Sequence, residues 1–142
     1  MSKRFRHILC ALPPWILTAV TVVLILWLTL APRPFGDIRA PLFPGADKIV
    51  HSLMFGFLTA MICADRARKD RSVSPSHISS LFALVSAAGA SLFGVAIEFL
   101  QHWLGIGRSF ETADIIADCS GAFIFAALWL IIQPDLSPSD NG

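Results

Sequence analysis

Apolar residues in this chain gather into four long blocks, about Pro14–Ala31, Ile49–Ala64, Leu81–Leu104 and Ala113–Ile132. The stretches between them carry most of the charge. A helix needs roughly 20 predominantly apolar residues to cross a bilayer, so the pattern predicts an all-α bundle of four transmembrane helices. The second block is short by that measure, and its helix must begin near Lys48 to reach across. Polar residues inside the blocks keep a helical period. Ala87, Ser91, Gly94, Glu98 and Gln101 follow spacings of 4, 3, 4 and 3, which puts them on one face. Asp114, Asp118 and Gly121 form a second such face, and Asp47, His51, Phe55 and Leu58 a third. Small residues let membrane helices approach closely, so these faces are expected to point into the bundle rather than toward lipid.

Composition agrees with a lipid solvent. The 142 residues are 55% hydrophobic and 15% charged, with mean hydropathy +0.67, against about 25% charged residues in average proteins. The blocks fill most of the chain, so a single domain over residues 1–142 is expected, with tails at 1–12 and 133–142. A net charge of +1 gives no reason to expect a nucleic-acid partner. The basic start (Lys3, Arg4, Arg6, His7) resembles that of a signal peptide. The apolar run after it is long, however, and Pro32 follows Ala31 in a poor cleavage context, so an uncleaved anchor is expected. Cys10, Cys63 and Cys119 are widely spaced and form no disulfide or zinc pattern; they read as small packing residues. Trp15, Trp27, Trp103 and Trp129 lie near block ends, as interfacial anchors do.

Lys and Arg bias gives a topology. The N-terminal tail and second loop hold seven (Lys3, Arg4, Arg6, Arg66, Arg68, Lys69, Arg71), and the first and third loops four (Arg33, Arg39, Lys48, Arg108). Both termini are therefore expected on the cytoplasmic side, with the first and third loops outside. The proline-rich first loop, 32–47, is expected to be irregular over the outer face, the link Arg68–Ser80 to be a basic topology signal, and the tail Gln133–Gly142 to be disordered.

The chemistry gathers at the outer end. Asp47, Lys48 and His51 open the second block, Glu98 and Gln101 close the third, Arg108 lies in the short third loop, and Asp114 and Asp118 open the fourth. A charge at membrane depth costs on the order of 2.5–3.5 kcal/mol on insertion scales, so such clustering points to a site. The short third loop makes the last two helices neighbours and brings Glu98 and Asp118 to similar depth. Glu98 lies at the partly negative end of its helix and needs a cation, a proton or a hydrogen-bond donor. Lys48, His51 and Arg108 are the candidates, and a plain Glu98–Arg108 ion pair is the structural alternative. Asp114, just after Thr112, also fits helix capping. His51, one turn after Asp47, fits a carboxylate–histidine pair. His102, four after Glu98, is a weak candidate for a shared metal and otherwise reads as a headgroup-level residue.

Taken in order, these residues resemble the VanZ-like family of small bacterial membrane proteins. The matching pieces are 47–58 (DKIVHSLMFGFL), 98–101 (EFLQ) and 107–114 (GRSFETAD), completed by Asp118 and Gly121, and the resemblance covers about residues 45–130. The family pattern often has Asn where this chain has Asp118, which adds negative charge here. The resemblance implies a multi-pass protein of the bacterial inner (cytoplasmic) membrane. The family's namesake is associated with low-level resistance to the glycopeptide teicoplanin, a setting that is exceptional within the family.

Three functions fit these expectations. In the first, an outward-facing site binds or modifies an envelope lipid or a lipid-linked sugar precursor. Its ligand-binding residues are Asp47, Lys48, His51, Glu98, Gln101, Arg108, Asp114 and Asp118, with Arg108 and Lys48 on phosphate and His51 oriented by Asp47; a divalent cation is a candidate cofactor. In the second, an intramembrane metal-assisted hydrolase or transferase takes its catalytic groups from Glu98, His51 and Asp118 and its metal ligands from Glu98, His102 and Asp118. The third is a structural assembly protein whose polar residues only fix helix register. Oligomeric state is left open.

Overall fold

A computed structural model describes residues 12–31, 43–69, 78–105 and 110–132. The expectations for the two tails and for most of the first and second loops, and the position of Arg108, lie outside these residues. Among the described residues the fold is all-α: α1 (Ile16–Leu30), α2 (Ala46–Lys69), α3 (Ser80–Leu104) and α4 (Thr112–Ile132). The last three are long and apolar enough to cross a membrane. The first is not: its 15 residues reach only about 22 Å at 1.5 Å per residue. Prolines explain its length. Pro13 and Pro14 precede it, and Pro32 holds Ala31 in extended backbone (φ −68°, ψ 132°).

The second helix is longer than its apolar block. It starts at Ala46, after Gly45 in the left-handed region (φ 84°), and runs through Asp65, Arg66 and Arg68 to Lys69. Ser79 caps α3 by accepting from the Phe82 N–H at 3.2 Å, and Gly105 (φ 60°) closes it.

The short first helix is held at both ends by its neighbours. Trp15, at its N-cap position, makes no side-chain cap. Asp65 of α2 does the work instead, accepting from the Thr18 N–H and the Thr18 hydroxyl, each at 2.8 Å. Arg68 then donates to Asp65 at 2.7 Å and to the Leu12 carbonyl at 2.8 Å. At the other end Gln101 of α3 donates to the Thr29 carbonyl at 2.8 Å, one of the carbonyls that a helix end leaves without a partner.

Surface and interior are reversed relative to a water-soluble bundle. Val23, Leu81, Leu92, Trp103 and Ile131 are exposed, whereas His51, Thr59, Asp65, Glu98, Gln101 and Asp118 are buried. An apolar exterior of this extent fits lipid. The core is thin and made of small residues (Ala83, Ala87, Ala90, Ala122, Ala126) around Phe55, Leu58 and Ile97. Helices α2 and α4 meet so closely that a Cβ on Gly121 would collide with the Ser52 backbone carbonyl, and one on Gly56 with the Phe125 ring. Two of the three expected faces are buried throughout, Ala87, Ser91, Gly94, Glu98 and Gln101 on α3 and Asp114, Asp118 and Gly121 on α4; on α2, His51, Phe55 and Leu58 are buried but Asp47 is exposed.

Candidate functional site

Three helices deliver polar side chains to one end of the bundle. His51 lies one turn above Phe55, on which its ring stacks at 6.5 Å between centroids. Phe55 in turn packs on Phe93, so apolar contacts fix the imidazole from below. Across the α2–α4 seam, Asp118 Oδ1 lies 2.9 Å from His51 Nδ1. Both are buried, at 5% and 1% exposure. The second Asp118 oxygen has no hydrogen-bond partner and faces α3 at Gly94, where a Cβ would sit 2.5 Å from it. Gly94 therefore makes room for Asp118, and Asp118 holds His51.

Glu98 is 1% exposed. Its only hydrogen bond among the described residues comes from the Glu111 N–H, at 3.3 Å to Oε2. No described cation pairs with it, so the expectation that Lys48 or His51 would neutralise it is not met within ion-pair distance. The position of Glu111 at the start of α4 gives partial relief, because the partly positive end of that helix points at the carboxylate.

Lys48 is committed elsewhere. Its ammonium lies 2.6 Å from Asp47, 2.5 Å from Glu111 and 2.8 Å from Asp114. The Asp114 contact is an ion pair out of line for a hydrogen bond, so Asp114 spends its charge on Lys48 rather than capping its helix. Asp47 and Glu111 are half-exposed, and Asp114 is nearly buried. With Glu98 and Asp118 included, five carboxylates face one ammonium, a formal charge of −4 among the described residues when His51 is neutral.

Two groups of side chains bring one ligand atom each to within 4.8 Å of one another: His51, Glu98 and Asp114, and Asp47, Glu111 and Asp114. The first is largely buried and the second more open. The sequence pairing of His51 with Asp47 is replaced, since Asp118 takes that place. His102 stands apart: it is exposed beside Trp103 on the outer face of α3 and joins neither group. Gln101 turns to α1 instead of the site. Sequence reading missed Glu111, which touches both Lys48 and Glu98, because a loop carboxylate has no periodic signal. It also missed the buried Asp65–Arg68 pair at the opposite end, where basic residues were read as loop.

The VanZ/LLP1 family profile matches residues 15–133, most of the chain and all four helices, and the chain belongs to that family. No curated protein and no solved structure gives a significant match.

Proposed function

We propose that this VanZ/LLP1 family protein is a multi-pass protein of the bacterial inner membrane whose outward-facing polar site binds, or modifies, the headgroup of an envelope lipid or lipid-linked sugar. The observation that carries the reading is the convergence of buried His51, Glu98 and Asp118 with Lys48 and Asp114 at one end of an otherwise lipid-facing bundle. Polar groups at that depth are costly, and intramembrane ionisable residues mark functional sites by default. The excess of basic residues in the N-terminal tail and around Arg66–Arg71 supports cytoplasmic termini, which turns the polar end to the outer leaflet. Helix α1 completes the fourth span when the residues before Ile16 and after Leu30 share the crossing.

The charge balance narrows the headgroup. The formal charge of −4 among the described residues disfavours a bare phosphate there, and Lys48 is saturated by three carboxylates. Hydroxyl-rich or cationic headgroups fit directly, and a phosphate fits through a bridging cation. A metal-assisted hydrolase or transferase is the second reading, favoured by the converging His51, Glu98 and Asp114 atoms. Altered glycopeptide susceptibility is the expected phenotype where the bound lipid is a cell-wall precursor.

The test is lipid analysis of protein extracted with its surrounding bilayer in polymer nanodiscs, wild type against Glu98→Gln. Enrichment of one headgroup class in the wild type, lost in a normally inserted variant, supports the reading. Identical lipid profiles in both would reject it.

A further inference from the structure

We propose that His51, Glu98 and Asp114 bind one divalent transition-metal ion, Zn2+ or Mn2+, and that Asp118 is the residue positioning His51 for it. The inference rests on the site reading above and deepens it by naming what the site holds.

The three side chains come from α2, α3 and α4, so their convergence is a product of tertiary packing and not of local spacing. Their ligand atoms lie within 4.8 Å of one another. Tetrahedral ligands about 2.0–2.2 Å from a central ion lie about 3.3–3.6 Å apart, so side-chain movements on the order of 1 Å close the set. Asp118 engages His51 Nδ1 at 2.9 Å, so the proposal assigns the other ring nitrogen, Nε2, to the ion. Metal-bound histidines commonly carry such a carboxylate on the other nitrogen, which fixes ring orientation and raises ligand basicity.

Glu98 supplies the independent pointer. It is 99% buried, has no cation among the described residues, and its only hydrogen bond there is one long contact from a backbone N–H. A carboxylate removed from water calls for a proton or a positive partner. The place where that partner would sit is shared with His51 and Asp114. Asp114 also pairs with Lys48 at 2.8 Å, so the ammonium fills the neighbouring carboxylate group and competes with the ion for this ligand. That second group, Asp47, Glu111 and Asp114, already surrounds a cation and is assigned no metal.

One imidazole nitrogen and two carboxylate oxygens suit Zn2+ or Mn2+ better than Ca2+, which takes six to eight oxygens. Three protein ligands leave a position open, as in metal sites that engage a further group. The ion would halve the formal charge among the described residues and offer an open coordination position to which a headgroup phosphate or hydroxyl binds directly.

The experiment uses the full-length chain in nanodiscs, stripped with EDTA and titrated with Mn2+. Expected are one Mn2+ per chain and a 14N coupling from imidazole in the pulsed EPR spectrum. Glu98→Gln and Asp114→Asn should each weaken Mn2+ at least about tenfold, and Asp118→Asn about 10–100-fold, the usual cost of losing such a partner. His102→Gln removes an exposed imidazole that joins neither group and should leave both the affinity and the 14N coupling unchanged. Substoichiometric Mn2+, bound Mn2+ without 14N coupling, or equal losses in His102→Gln and Glu98→Gln would each overturn the proposal. The wild-type spectrum decides even if a variant fails to insert. Headgroup enrichment retained by EDTA-stripped protein that binds no Mn2+ removes the metal and leaves the lipid reading standing; Mn2+ bound without headgroup enrichment does the reverse.

Discussion

Replacing Gly121 with alanine should be among the most damaging single-methyl additions in the bundle. In an unobstructed helix, Gly→Ala is favourable by about 0.8–1 kcal/mol. At position 121 the new Cβ would collide with the Ser52 carbonyl, and a backbone atom cannot rotate away as a side chain can. The helices must therefore part by on the order of 1 Å, and overpacking of this kind costs about 1–3 kcal/mol after the propensity gain is lost. The damage should not stay local. Ser52 follows His51, and Gly121 lies one turn after Asp118, so the same parting stretches the 2.9 Å His51–Asp118 contact to about 4 Å, past hydrogen-bond range. Gly89→Ala is the matched control, because its Cβ would meet nothing within 4 Å, and it should be neutral or stabilising. The assay is thermal unfolding of both variants in one detergent, followed by Mn2+ titration of the folded fraction. A Gly121→Ala protein as stable as Gly89→Ala, with unchanged Mn2+ affinity, would refute the close α2–α4 packing and its coupling to the site.

Three further outcomes follow from named contacts. Asp65→Asn removes the acceptor that caps α1 and leaves buried Arg68 without its carboxylate; a loss of about 3–5 kcal/mol, typical of a broken buried pair, is expected in denaturant titration, with Mn2+ binding retained by the folded protein. Lys48→Met frees three carboxylates beside the proposed ion, so Mn2+ affinity should rise in isothermal titration while stability falls by about 1 kcal/mol or less, since the pair is partly exposed; unchanged or weaker Mn2+ binding would contradict the charge argument. In a cysteine-free background, Asp47→Cys should react with an impermeant maleimide in intact spheroplasts, whereas Ser2→Cys and Ser137→Cys should react only after permeabilisation; the opposite pattern would invert the topology.

Helix faces were legible in the sequence because burial repeats with the helical period. Glu98 and Gln101 follow Ala87, Ser91 and Gly94 along one line, and that line is buried. His102 lies where its headgroup-level reading puts it, exposed and outside both groups of converging ligand atoms. Four residues advance about 400° around a helix, and continuing the 4, 3 alternation from Gln101 leads past His102, which falls on the lipid side. Partnerships between helices were not legible. His51 has Asp47 one turn away in sequence, yet its partner is Asp118, 67 residues on, because the register is set by where Gly121 meets Ser52. Lys48 read as a free phosphate ligand until folding placed Glu111 and Asp114 around it. Asp65 and Arg68 were hidden by their own charge: residues past an apolar block read as loop, while their mutual bond and the end of α1 keep them helical and their side chains largely out of solvent.

The central claim is that the polar end exists to hold something and does not serve as glue for the bundle. Thermal unfolding of EDTA-stripped Glu98→Gln against stripped wild type tests it most directly. Glu98 is buried among other carboxylates, so an isosteric neutral side chain should leave the melting temperature equal or raise it, as when a functional site is relieved of its strain. A clear drop in melting temperature would mean that Glu98 stabilises the helices, and the polar cluster would then be structural.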